Sequence, residues 1–212
     1  MIAAIANCPH PPLLLEGITG GPVAEVTELR AACLAAIGVL LDAGPSEILI
    51  VGGAGPAELD KPLSVLVGRL LLAQAGCRLP VEQLVVPAER STEHCLRLGR
   101  EAASGDTRTG LLVMGDGSAR RSVKAPGYFD DRAAVFDASV EQAFAKADPA
   151  GLAVVDAGLA AELLVAGRAA WQVLAGAAMA DVDGGFAATV HYADDPFGVW
   201  YPVVSWVPAA DR

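Results

Sequence analysis

Short continuous apolar runs alternate with longer stretches of helical periodicity along most of the chain. Ile2 to Asn7, Glu47 to Val51, Val81 to Val86 and Thr109 to Met114 read as β-strands. Between them, Pro22 to Ala43 and Leu63 to Ala75 carry apolar residues at helical spacing and stop at Gly44-Pro45 and Gly76. Ser91 is the expected N-cap of a third helix that runs to about Ala103. Strands that alternate with helices in this way predict a mostly parallel sheet flanked by helices.

After Asp130 the pattern turns helical, over Ala133 to Lys146, Pro149 to Val155 and Leu159 to Ala178, with Asp148-Pro149 as a cap and first turn. Phe186 to Tyr192 and Val199 to Val207 flank the turn-rich Asp194-Asp195-Pro196-Phe197-Gly198, which predicts a C-terminal antiparallel strand pair. Pro202 points to an edge strand or a bulge there. No repeat, linker or low-complexity stretch divides the chain. The expectation is therefore one α/β domain over residues 1–212.

Composition narrows the classes of function. A formal charge of −10 and a pI near 4.7 weigh against nucleic acid and anionic lipid as partners. The opening residues lack a basic segment, and prolines interrupt them early, so neither a signal peptide nor a transmembrane span fits and a cytoplasmic location is expected. Cys8, Cys33, Cys77 and Cys95 are widely spaced and read as free thiols. A mean hydropathy of +0.44 and an apolar terminal strand around Trp200 to Trp206 make a homo-oligomer one expectation.

Ligands of parallel sheets gather at the carboxyl ends of the strands. Three loops leave such ends. The first holds His10 between prolines, in Cys8-Pro9-His10-Pro11-Pro12. The second is Gly52-Gly53-Ala54-Gly55-Pro56, and the third runs from Gly115 through Asp116, Ser118, Arg120 and Arg121 to Lys124. Glycines with Arg120, Arg121 and Lys124 suit a small anionic ligand, with Asp116 and Ser118 as polar contacts and Tyr128 and Phe129 as an aromatic wall or as core. The alternative is that these cations pair with Asp116, Asp130, Asp131 or Asp137 and fix the loop. Ser118 as a nucleophile lacks a histidine nearby in sequence to activate it, and although Cys8 lies two positions before His10, adjacency in sequence does not bring two side chains together in space.

Cys8-Pro9-His10-Pro11-Pro12-Leu13-Leu14-Leu15, the Gly115 to Asp137 stretch with Ala125-Pro126-Gly127-Tyr128-Phe129-Asp130, and Pro196-Phe197-Gly198-Val199 resemble the class III extradiol dioxygenase family, which includes the Memo-like proteins. The resemblance covers nearly the whole chain. It implies non-haem Fe(II) chemistry on a catechol-like substrate, with His10 as one metal ligand. A second ligand, a histidine after the second strand, has only Gly52, Gly53 and Ala54 in its place. The family's catalytic acid/base lies in a Gly-x-Leu-Ser-His-Arg pattern, matched here by Gly115-Asp116-Gly117-Ser118-Ala119-Arg120, with alanine in place of the histidine.

Glu162 is a candidate for the carboxylate ligand, and His94 and His191 are candidates for substitute imidazoles. The reading that follows is a catalytically altered or inactive homologue, without a cofactor, that binds a small ligand or a protein partner in the former cleft. The alternative keeps Fe(II) or another divalent metal on a non-standard ligand set.

Overall fold

A six-stranded sheet with helices on both faces organises the computed structural model, which describes residues 1–15, 17–18, 21–54, 62–181 and 185–209. In chain order the elements are β1 (Ile2–Cys8), α1 (Ala24–Asp42), β2 (Glu47–Ala54), α2 (Leu63–Gln74), β3 (Val81–Pro87), α3 (Thr92–Ala103), β4 (Thr109–Met114), α4 (Arg132–Ala145), α5 (Pro149–Ala153), α6 (Ala157–Glu162), α7 (Arg168–Asp181), β5 (Phe186–Asp194) and β6 (Tyr201–Pro208). The strand order is β3-β2-β4-β1-β6-β5. β3, β2, β4 and β1 run parallel, whereas β6 pairs antiparallel with both β1 and β5. The expected α/β class, mostly parallel sheet and C-terminal antiparallel pair are all present.

Burial on both faces explains the unbroken apolar runs. All residues of β1 and β4 are buried. Ala4, Ala6, Cys8, Leu112 and Met114 pack with α1 and α2, while Ile5, Leu111 and Val113 pack with α4 and α7 on the opposite face. Ser91 caps α3 by accepting from the His94 N–H at 3.3 Å, and Asp148 caps α5 by accepting from the Gly151 N–H at 3.0 Å.

Glycine permits the closest helix pair. A Cβ on Gly99 of α3 would stand 2.0 Å from the Val173 carbonyl of α7, and one on Gly176 would stand 2.2 Å from the Leu96 carbonyl. The two helices therefore meet backbone to backbone.

Three expectations need correction. The single helix over Leu159 to Ala178 is two helices, α6 and α7, broken at residues 163–167. Leu164 takes φ 57°, and the Leu163 carbonyl accepts from Ala119 N–H while Gly167 N–H donates to the Asp116 carbonyl. Backbone pairing with the loop after β4 thus replaces helical pairing. Secondly, Pro202 lies on an interior strand. Its carbonyl accepts from Asn7 Nδ2 at 2.8 Å, beyond the last β1–β6 pair, so its nitrogen faces a place where the ladder asks for no donor. The bulge is at His191 on β5, between Val190 and Tyr192. Thirdly, Trp200 and Trp206 are buried, and the edge strand on that side of the sheet is β5 instead.

Among the described residues no helix is long and apolar enough to cross a membrane.

Alanine at Gly99 or Gly176 is expected to destabilise the chain by about 1–3 kcal/mol in urea unfolding. Gly38 of α1 has nothing within 4 Å of a built Cβ, so Gly38→Ala should instead be neutral or stabilising by up to about 1 kcal/mol. Equal effects at Gly38 and Gly99 would contradict the backbone contact.

Candidate functional site

β1 and β4 are neighbours, and the Gly115 N–H extends their ladder by donating to the Cys8 carbonyl at 2.9 Å. The His10 and Asp116 loops therefore begin side by side at the carboxyl edge. The His10 backbone N–H donates to Asp116 Oδ1 at 2.6 Å, and His10 Nδ1 lies 3.3 Å from that same oxygen. The distance is short, but Nδ1 is not aligned for a hydrogen bond and is left buried without one. His10 is 8% exposed and the Asp116 side chain 14%, so the pair forms a nearly closed polar spot.

The end of β2 is crowded where the resemblance leads one to look for a second imidazole. A Cβ on Gly52 would stand 2.3 Å from Ser64 Oγ, and one on Gly53 would stand 2.8 Å from the Ala166 carbonyl. Ser64, from α2, donates to the Gly53 carbonyl at 2.8 Å. The broken segment between α6 and α7 fills the space that a side chain at 53 would need. Gly55 and Pro56 lie outside the described residues.

The third loop is folded onto itself and onto α4. Buried Asp137 of α4 accepts from the Ser118 N–H at 3.0 Å and from Ser118 Oγ at 2.5 Å. Arg121 reaches Asp137 at 3.8 Å and Asp195, in the β5–β6 turn, at 2.5 Å. Arg120 Nη1 donates to the Gly127 carbonyl, and Arg120 Nε is buried without a partner. Asp130 pairs with Arg132 at 2.8 Å, which holds its carboxyl down to about 2, and Arg132 also binds Glu162 at 2.7 Å.

Arg120 and Arg121 are thus occupied within the fold, the first by a carbonyl and the second by Asp137 and Asp195. Lys124 is exposed. Tyr128, at φ 59°, is 75% exposed and Phe129 is 58% exposed, so neither belongs to the core. The structure does not gather Asp116, Ser118, Arg120, Arg121, Lys124 and Tyr128 around one opening. Asp116 faces His10, whereas Ser118 faces Asp137.

The remaining metal candidates are scattered. His94 contacts Arg97 on α3 at 3.0 Å, His191 contacts Ser205 Oγ on β6 at 2.8 Å, and exposed Glu162 is ion-paired with Arg132. Among the described residues no group of three His, Cys, Asp or Glu side chains comes together. Among the described residues His10 and Asp116 give two donors, short of the three that a non-haem iron site uses, so these two alone do not fit such an ion. Cys8, Cys33, Cys77 and Cys95 are free, and Cys8 lies in the core beneath α1 with its thiol 3.9 Å from the Cys33 carbonyl.

The sequence reading missed the depth of Asp137 and the role of Asp195. A signal for the first was present, because Ala133, Phe136, Val140 and Phe144 share a buried helical face into which an acid at 137 also falls.

No known family model matches the chain, and no curated protein matches it. Among solved structures it is similar to an uncharacterized protein, JW3007, of Escherichia coli K12, with a TM-score of 0.52 and 14% identity over 96% of this chain and 99% of that one. At that identity the likeness is one of fold.

Burial pushes the Asp137 carboxyl up to about 6, against the Ser118 donors and the Arg121 guanidinium that favour its charge. Its unfolded value is about 4. Between those values the native chain holds a proton that the unfolded chain has lost, so this group's contribution to stability falls as pH rises from about 4 to about 6. Asp137→Asn removes that dependence. The native-minus-variant difference in urea unfolding is expected to change by on the order of 2 kcal/mol between pH 4 and pH 7, with the native chain losing ground. A flat difference would mean that Asp137 does not titrate in this window.

Proposed function

We propose that the chain is a non-catalytic relative of the class III extradiol dioxygenases that binds a small ligand at the carboxyl edge of its sheet, beside His10 and Asp116. The observation that carries this reading is steric. Positions 52 and 53 have no room for a side chain, so an imidazole from the end of β2 has no place beside His10. Ala119, where the resembling family has its acid/base, supplies no proton-transfer group, and its N–H is used by the Leu163 carbonyl.

What remains suits binding. A histidine and a carboxylate held next to each other and largely shielded from solvent can orient a hydroxyl or amide group by hydrogen bonds to the imidazole edge. The pairing of Arg121 with Asp137 and Asp195 argues for a neutral ligand there over an anionic one.

One observation favours the metal-dependent alternative, namely a buried His10 Nδ1 with no hydrogen bond and a carboxylate at 3.3 Å. The two readings separate in one experiment. Protein purified without oxygen and reconstituted with ferrous iron is expected to hold far less than one equivalent, with no difference between the native chain and His10→Ala. Catechol should raise the melting temperature of the metal-free native chain and not that of His10→Ala. One equivalent of iron that is lost in the variant, together with oxygen uptake on addition of catechol, would replace this reading with the enzymatic one.

A further inference from the structure

A second site lies at the same edge of the sheet, beyond β3, and it is built around a buried arginine. Arg168, the first residue of α7, is 5% exposed. Its Nη1 donates to the Arg90 carbonyl at 2.6 Å and to Gln172 Oε1 at 3.0 Å, and its Nη2 donates to the Ala88 carbonyl. Every one of these acceptors is neutral. Among the described residues no carboxylate forms an ion pair with Arg168, although an arginine this deeply buried normally has one.

The guanidinium borders a cavity of about 190 Å³, whose other walls are Ala88, Glu89, Ala157, Ala160, Ala161 and Val165. Ala88 directly follows β3, so the cavity opens where parallel sheets bind ligands. The N-terminal end of the fourteen-residue α7 adds positive potential at the same place. Small apolar walls, one buried cation and a helix N-terminus together define a receptor for a compact oxyanion.

We propose that this cavity binds a small oxyanion, a carboxylate or phosphoryl group, whose charge is matched by Arg168. The methyl and isopropyl walls limit the ligand to a short one. Glu89 lines the cavity but is itself exposed and not paired with the arginine. Its carboxylate repels an incoming anion and tunes the affinity downward. The site requires neither iron nor His10, so it stands independently of the function proposed above.

Inorganic phosphate and acetate, titrated separately into the full chain at low ionic strength by calorimetry, test it. At least one of them should bind saturably at one site per chain. A preference for phosphate identifies a phosphoryl ligand, and a preference for acetate identifies a carboxylate. Arg168→Met, shown to be folded by circular dichroism, should bind at least tenfold more weakly. Arg168 also pins the Ala88 to Arg90 loop to α7, so Glu89→Gln provides a variant that leaves this clamp intact, and it should bind at least threefold more tightly.

The proposal is overturned if neither anion binds saturably to the native chain or to Glu89→Gln. Undiminished binding by a folded Arg168→Met overturns it as well. Should Arg168→Met not fold, unchanged affinity in Glu89→Gln does the same.

Discussion

The indole of Trp171 is the constraint around which the carboxyl edge is arranged. Its Nε1 donates to Asn7 Oδ1 at 2.9 Å, and Asn7 in turn donates from Nδ2 to the Pro202 carbonyl, so one buried chain of hydrogen bonds joins α7, β1 and β6. Asn7 is 1% exposed, and both ends of its amide are used, which offsets the cost of burying it. The ring also stands so close to Gly115 and Gly167 that a Cβ on either would lie 2.4 or 2.2 Å from an indole atom. Phe144 meets the ring edge-on, with centroids 5.6 Å apart, and closes the far side.

The path of the backbone at the candidate site follows from this. With Gly115 and Gly167 both against the indole, the loop after β4 and the segment between α6 and α7 are brought together, and they pair through Gly167 to Asp116 and Ala119 to Leu163. That pairing sets the Ala166 carbonyl over Gly53 and leaves the Asp116 side chain facing His10. Placing any side chain at position 53 would therefore require moving a segment fastened at both ends.

Apolar patterning made the strands legible because β1 and β4 are covered on both faces, and turn residues marked the ends of α1 and α2. The break between α6 and α7 was not legible. Leu159, Leu163, Ala170 and Leu174 keep the apolar spacing of one helix, and the interruption comes from hydrogen bonds to residues more than forty positions away. The interior position of β6 was hidden for a similar reason, since Pro202 signals an edge only where its nitrogen faces a partner strand. At the site, His10 could be singled out by its proline-flanked loop, but its pairing with Asp116 depends on β4 lying beside β1, and strand order is not written in local sequence. For the third loop Asp137 could be named in advance as one candidate partner of its cations, but Asp195 could not, since it lies in the β5–β6 turn, which Arg121 reaches only in the folded chain.

These arginines show how an acidic chain arranges its few positive charges. Arg121 bridges an acid on α4 and one in the β5–β6 turn, and Arg132 bridges Asp130 and Glu162. Both are spent on acids of the fold, so their fields are largely cancelled near the loop. Arg168 differs because its hydrogen-bonding oxygens come from carbonyls and an amide, whose dipoles satisfy its N–H groups without cancelling its charge. In water the distinction would be minor. In a buried setting of low dielectric a satisfied but uncancelled charge keeps a strong local potential, and at Arg168 that charge adjoins a cavity.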